Sequence, residues 1–325
     1  MKTLEFLAGK IRKAKSVLIF CHVRPDGDTI GSAFALKYGL ESLGIKGDVV
    51  CDSDYPSKLM FLPYASEVYK PEKVNKTYDL HIAVDVASEN LLGGSWSVFR
   101  SNKNVMCIDH HLSNERYVED YSVDTTASAS MIVYKLLKIL PVDIDVRMAT
   151  GVLLGIVTDT HCFTNPNTDA ETLKIASETL ALGADYNKIV YETRKVDMAR
   201  AKLLGEMVQK AHTYFGGRLF IMVTTQEMLV KYDLKSDANE GFVEHPLLIA
   251  GVVASVSLLE DRRDFYRVSF RSRGAIDVNK VAREFGGGGH VNASGCVIRG
   301  SYEEVIERIL RAFEINSDWE NNFIK

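Results

Sequence analysis

Apolar positions in the first half of the chain come in short blocks. "SVLIFCH", "GDVVC", "DLHIAVDV" and "NVMCIDHH" are nearly continuous apolar runs of strand length, without the strict alternation of a strand that has one wet face. After the first run, Ile30, Ala33, Phe34, Leu40 and Leu43 recur at helical spacing. Strands buried on both faces with helices between them predict a mainly parallel sheet.

Further along, "TGVLLGIVT" reads as a helix running into Asp159. "NPNTDAETLKIASETLALGAD" predicts a helix from near Thr168 to a C-cap at Gly183, and a polar-rich helical pattern continues through "YNKIVYETRKVDMARAKLLGEMVQKAHTYF". "GGRLFIMVTT" then opens a new strand, and "AGVVASVSLLED" and "DFYRVSFRSRG" predict an antiparallel pair. A last helix is marked by the Ser301/Glu304 capping box and one apolar stripe, Tyr302, Val305, Ile306, Ile309, Leu310 and Phe313. The pattern predicts an α/β protein: a mainly parallel-sheet domain over 1–185, a helical connector over 186–215 and a smaller α+β domain over 216–325.

With 325 residues, 46% hydrophobic and 25% charged, the chain has room for two cores. A net charge of −4 does not advertise a polyanion binder, although bound cations can reverse the field inside a cleft. There is no long apolar leader and no window of about 18 unbroken apolar residues, which predicts a cytoplasmic protein. The five cysteines are scattered without a CxxC, so they read as reduced buried thiols rather than disulfides or a thiolate zinc site.

The chemistry lies where strands end. His22, Asp26 and Asp28 follow "VLIFC", Asp85 follows "HIAV", and Asp109, His110 and His111 follow "NVMCI"; Asp159 closes the helical run. Ligands of parallel sheets bind beyond the carboxyl ends of the strands, so these clusters can share one cleft. A lone Asp after a strand is usually an Asx-turn or N-cap. Several carboxylates converging without cations would repel one another, and their conjunction calls for positive charge. Carboxylates with imidazoles and no thiolate suit divalent ions, manganese ahead of magnesium, with zinc as an alternative. Two ions sharing a carboxylate would clamp the attacking and leaving oxygens of a phosphoryl displacement.

"HVRPDGDTIGS", "AVDVAS", "DHH", "GIVTDT" and "GGGGHVNASG" together resemble the ordered motifs of the DHH/DHHA1 phosphoesterases, within them the short bacterial group of oligoribonuclease (nanoRNase)/pAp phosphatases and related cyclic-dinucleotide and linear-dinucleotide phosphodiesterases. The resemblance implies a DHH catalytic domain over 1–185 and a DHHA1 substrate domain over 216–325. It implies two Mn2+ ions, with Mg2+ or another divalent metal as substitutes. His22 and Asp26 would hold one ion, Asp28, His110 and Asp159 the other, and Asp85 would bridge them and take part in catalysis. His111 would meet the scissile phosphate or the leaving oxygen, and Asp109 would orient an imidazole.

In the second domain the resemblance assigns substrate binding to Arg271 and to Gly287, Gly288, Gly289 and His290, with Arg273 and Asn292 as weaker candidates. Glycines allow backbone N–H groups to approach a phosphate closely. Two positions depart from the family pattern: His161 stands for the glycine after "TDT", and Thr164 for an arginine shortly after it. His161 reads as an exposed loop histidine, with an added phosphate contact as the alternative.

The implied activity is hydrolysis of short oligoribonucleotides to mononucleotides and of pAp to AMP. The alternatives are a cyclic di-AMP or pApA phosphodiesterase, an exopolyphosphatase or pyrophosphatase-like hydrolase, and a non-catalytic nucleotide-binding module. Partners would be short RNA or nucleotides, not double-stranded DNA or membrane; a homodimer follows from the resemblance alone. Sequence signatures of P-loop, zincin, serine hydrolase and strand-borne dinucleotide chemistry are missing.

Overall fold

The computed structural model describes residues 1–274, 276–317 and 319. The chain divides into two compact units, Met1–Lys195 and Val196–Lys325. The division falls inside the stretch read as a helical connector.

The first unit contains α1 (Leu4–Ile11), β1 (Ser16–Phe20), α2 (Gly27–Ser42), β2 (Lys46–Val50), β3 (Val68–Tyr69), β4 (Leu80–Val84), α3 (Ser95–Arg100), β5 (Val105–Asp109), β6 (Asp120–Val123), α4 (Ala129–Ile139), α5 (Val146–Asp159), α6 (Ala170–Ala181) and α7 (Tyr186–Arg194). Its six strands form one sheet in the order β3-β2-β1-β4-β5-β6, and every pairing is parallel.

The continuous apolar runs have a direct physical cause. Along β1, Val17 and Ile19 enter the core with α2, α4 and α5, while Leu18 and Phe20 enter a second core with Phe99 of α3. Both faces of the central strands are therefore dry, and neither face selects polar residues. The strand order reverses between β1 and β4, which places a ligand crevice at the carboxyl ends of these strands.

The second unit contains α8 (Met198–Gln209), β7 (His212–Tyr214), β8 (Leu219–Thr224), α9 (Gln226–Lys231), β9 (Ala254–Arg262), β10 (Phe265–Ser272), α10 (Val278–Arg283), β11 (Gly288–His290), β12 (Ala293–Arg299) and α11 (Tyr302–Asn316). Its sheet runs β11-β12-β10-β9-β8-β7, antiparallel except for β8 beside β9. Val305, Ile309 and Phe313 of α11 cover one face with Val256, Val268 and Phe270, whereas Leu203 and Met207 of α8 cover the other with Phe220 and Met222.

One element corrects the reading of the sequence. The helical pattern does not continue through "AHTYF": α8 stops at Gln209, and His212–Tyr214 pairs with Leu219–Ile221 as β7. The reversal between these strands puts Phe215, Gly216 and Gly217 in the left-handed region, a turn that helical spacing cannot reveal. Among the described residues, no helix is long and apolar enough to cross a membrane.

Candidate metal centre

His22 follows β1, Asp85 follows β4, and Asp109 closes β5 with His110 and His111 directly behind it. Asp26 caps α2, accepting from the backbone N–H groups of Asp28 and Thr29 at 2.9 and 3.1 Å. Asp28 lies in the first turn of α2, two residues after that cap, and Asp159 ends α5. Seven of these side chains converge.

Close helix contact makes the convergence possible. A Cβ at Gly31 of α2 would lie 2.2 Å from the Gly151 carbonyl oxygen, and one at Gly155 of α5 would lie 2.3 Å from Asp28 Oδ1. Only glycine lets α2 and α5 approach so closely, and the approach brings Asp28 beside the end of α5. Asp28 is buried, and its carboxylate also accepts from the Ala129 and Ser130 N–H groups at 2.6 and 2.9 Å, at the start of α4. The residue thus serves two purposes, as a helix cap and as part of the cluster.

His22 and His110 are oriented in the same way. His22 Nδ1 lies 2.9 Å from the Val23 carbonyl and His110 Nδ1 lies 3.2 Å from the Thr126 carbonyl. A carbonyl only accepts, so each Nδ1 carries the proton and each Nε2 faces the carboxylates. His22 Nε2 is 3.6 Å from Asp26 Oδ1 and 3.5 Å from Asp85 Oδ2. His110 Nε2 is 3.8 Å from Asp28 Oδ2, 3.4 Å from Asp85 Oδ1 and 3.2 Å from Asp159 Oδ2.

These are spacings of groups that surround something rather than bond to one another. Asp85 Oδ1 and His110 Nε2 are both buried without a hydrogen-bond partner. Three sets of ligand-type atoms lie within 4.8 Å of one another: His22 with Asp26 and Asp85, Asp28 with His110 and Asp159, and Asp85 with His110 and His111. Asp85 itself adopts φ 59°, a left-handed backbone uncommon for a non-glycine residue. The donor set of carboxylate oxygens and imidazole nitrogens fits a divalent cation of intermediate hardness.

The electrostatics describe the same need. Burial opposes charge on His22, but the neighbouring carboxylates of Asp26 and Asp85 outweigh it and raise the imidazole to about 11. Burial is likewise overcome at His110, where Asp159 and Asp85 raise it to about 12. Burial, reinforced by the charges of Asp85 and Asp159, pushes Asp28 well above the carboxylate range. Asp159 rises to about 6, chiefly through burial and against the pull of His110. Asp85 goes the other way: burial is outweighed by His110 and His22, which hold it well below the usual range. Without cations, the cluster stabilises its carboxylates with protons.

His111 stands beside this set. Its Nδ1 is 2.8 Å from Asp109 Oδ1, and burial is outweighed by Asp109, so the imidazole is raised. Asp109 is fully buried, and its other oxygen accepts from Asn114 Nδ2 at 2.6 Å. Asn114 and Thr126 were not found by sequence reasoning, since a loop Asn or Thr near a histidine pair has no periodic signature. The five-residue step from Asp109 to Asn114 is the one available clue.

The remaining candidates lie in the second unit. Arg271 is half-buried on β10, with Nε 3.4 Å from Glu244 Oε1 and Nη1 donating to the Phe270 carbonyl at 3.1 Å. Gly287 and Gly289 are demanded by the β11–β12 hairpin: a Cβ at Gly287 would lie 2.2 Å from the Gly295 carbonyl oxygen, and Gly289 adopts φ 148°. At Gly288 a Cβ would meet only Asn279 Oδ1, at 3.8 Å. Asn292 Nδ2 donates to Ser272 Oγ at 3.0 Å, Arg273 is exposed, and the side chain of His290 lies outside the described residues.

Two family models match the chain: the DHH family, N-terminal domain, over residues 16–156, and the DHHA1 domain over 216–315. The bifunctional oligoribonuclease and PAP phosphatase NrnA of Thermus thermophilus is 33% identical over 91% of this chain and 88% of its own length. The chain belongs to the DHH family. DHH proteins with a DHHA1 domain are phosphoesterases, metal-dependent hydrolases acting on phosphate ester bonds. NrnA of Bacillus subtilis is 30% identical over 92% of this chain and 94% of that protein. The crystal structure of an exopolyphosphatase-related protein from Bacteroides fragilis superposes with a TM-score of 0.89 at 27% identity, covering 96% of this chain and 95% of that one.

Proposed function

We propose that this DHH protein is a Mn2+-dependent, two-ion phosphodiesterase and phosphatase that hydrolyses short oligoribonucleotides to mononucleotides and pAp to AMP. The observation that carries it is the pair of buried, unpartnered atoms Asp85 Oδ1 and His110 Nε2 within a set of four carboxylates and three imidazoles. Support for the substrate comes from relatives named oligoribonuclease and PAP phosphatase that match this chain over about nine-tenths of its length.

His22 and Asp26 would hold one cation, Asp28, His110 and Asp159 the other, with Asp85 between them. When bound, the cations supply Lewis-acid charge that activates water and offsets the charge of the phosphate. The chain's own residues do the rest. The backbone carbonyls of Val23 and Thr126 keep the protons of His22 and His110 on Nδ1, so each Nε2 stays available as a ligand. Asp109 holds His111 by Nδ1, and Asn114 holds Asp109. With its charged form favoured, His111 is suited to donate a hydrogen bond to the phosphate and a proton to the departing ribose oxygen. Arg271 and the Gly287–Gly289 backbone with His290 would recognise the nucleotide.

The test is turnover of pAp, an RNA dinucleotide, cyclic di-AMP and polyphosphate side by side with Mn2+. Release of phosphate from pAp and mononucleotide from the dinucleotide is expected. Turnover confined to cyclic di-AMP or to polyphosphate would overturn the substrate assignment.

A further inference from the structure

The turn after α5 is unusual. His161, Cys162 and Phe163 have φ of 51°, 59° and 64°, three successive non-glycine residues in the left-handed region. Such conformations persist only where the surroundings over-determine them. The Thr160 hydroxyl accepts from the Phe163 N–H at 3.0 Å, the Thr164 hydroxyl donates to the His161 carbonyl at 2.7 Å, and Asn165 Nδ2 donates to the Asp159 carbonyl at 3.1 Å. Phe163 stacks on Tyr186 at the start of α7, with ring centroids 5.8 Å apart.

The far end of α7 meets the same turn. Arg194 Nη2 lies 3.1 Å from His161 Nε2. A guanidinium has only donors, so the imidazole nitrogen accepts, and the contact fixes the guanidinium without neutralising it. Arg194 pairs with no carboxylate among the described residues. His161 is two residues beyond Asp159, a chain distance of at most ~7 Å. An exposed arginine without a carboxylate partner among the described residues is thus held against the turn that directly follows the ligand candidate Asp159, and the planar fork of arginine matches phosphate oxygens.

We infer that Arg194, positioned by His161, binds a second phosphate group of the substrate, the one that is not hydrolysed. The enzyme then selects esters that carry two phosphates, such as a nucleoside 3',5'-bisphosphate or a 5'-phosphorylated dinucleotide. This rests on the phosphate-ester reading above and adds a specificity determinant to it.

Two substrate pairs test it: pAp against adenosine 3'-phosphate, and pApA against ApA. Each pair differs by the 5'-phosphate alone. The kcat/KM ratio within each pair is expected to fall about tenfold in Arg194→Ala, the loss of a charge-assisted contact, and to be intermediate in Arg194→Lys, which keeps the charge without the fork. A ratio unchanged in Arg194→Ala, or both members of a pair falling together, would overturn the inference. Should the wild type hydrolyse none of the four, the hydrolase reading fails, and calorimetric binding of pAp and adenosine 3'-phosphate then decides the inference by itself. Discrimination lost in Arg194→Ala would support it, and discrimination retained would overturn it.

Discussion

His110 Nε2 and Asp85 Oδ1 lie 3.4 Å apart, both buried and neither hydrogen-bonded. Two such atoms facing each other across a gap are costly unless a third party satisfies both. Asp85→Asn keeps the shape but removes a charged ligand. Its turnover should drop by at least about a thousandfold, since the two-ion arrangement loses its shared carboxylate. Steady-state kinetics in saturating metal checks this, and an active Asp85→Asn would contradict it.

Gly155→Ala tests the close approach of α2 and α5. The new methyl would sit 2.3 Å from Asp28 Oδ1 and 2.4 Å from Ser130 Oγ. Overpacking of this kind costs about 1–3 kcal/mol, read from urea melts, and metal affinity should fall with it because Asp28 is displaced. A variant as stable and as tight as the wild type would show that the contact is dispensable.

The cluster's titration predicts opposite pH trends with and without metal. His22 and His110 are raised in the folded protein, so in metal-free protein their stabilisation is complete below their unfolded values near 6.5 and is lost as pH rises towards about 11 and 12. Asp28 and Asp159, also raised, act in the same direction from the ordinary carboxylate range upward. Asp85, lowered, contributes stability that is lost only under more acidic conditions. Chelated protein should therefore become less stable between pH 6 and 9, while metal affinity rises over the same range because protons compete for the ligands. Urea melts in chelator and metal titrations in buffers of different ionisation enthalpy measure both. Affinity that is flat with pH would show that the imidazoles are not ligands.

Asn114→Ala removes the donor to fully buried Asp109, and through it the anchor of His111. Turnover should fall about 10–100-fold, with the pH profile displaced because His111 loses part of the interaction that favours its charged form. A fall in stability with an unmoved pH profile would reduce Asn114 to a structural role.

The central strands were legible because both faces of β1, β4 and β5 are dry and each run stops abruptly at His or Asp. The edge strands were not. β3 has two residues, too few to show a pattern, β6 mixes polar and apolar residues over four, and β7 follows a helix with no break in the polar pattern. The converging His and Asp residues could be read from strand ends. Asn114 and Thr126 could not, because they act on loop backbone and buried carboxylate geometry that no periodicity encodes. The second role of Asp28 as a cap for α4 was equally hidden, since Ala129 lies 101 positions away.

Metal stoichiometry tests the central claim most directly. Native mass spectrometry of metal-stripped protein titrated with Mn2+ should show two ions per chain in the wild type, with Asp85→Asn impaired at both sites and turnover returning in step with the second ion. Full turnover with no ion or one ion bound, or two ions retained unchanged in Asp85→Asn, would contradict a shared two-ion centre at these residues.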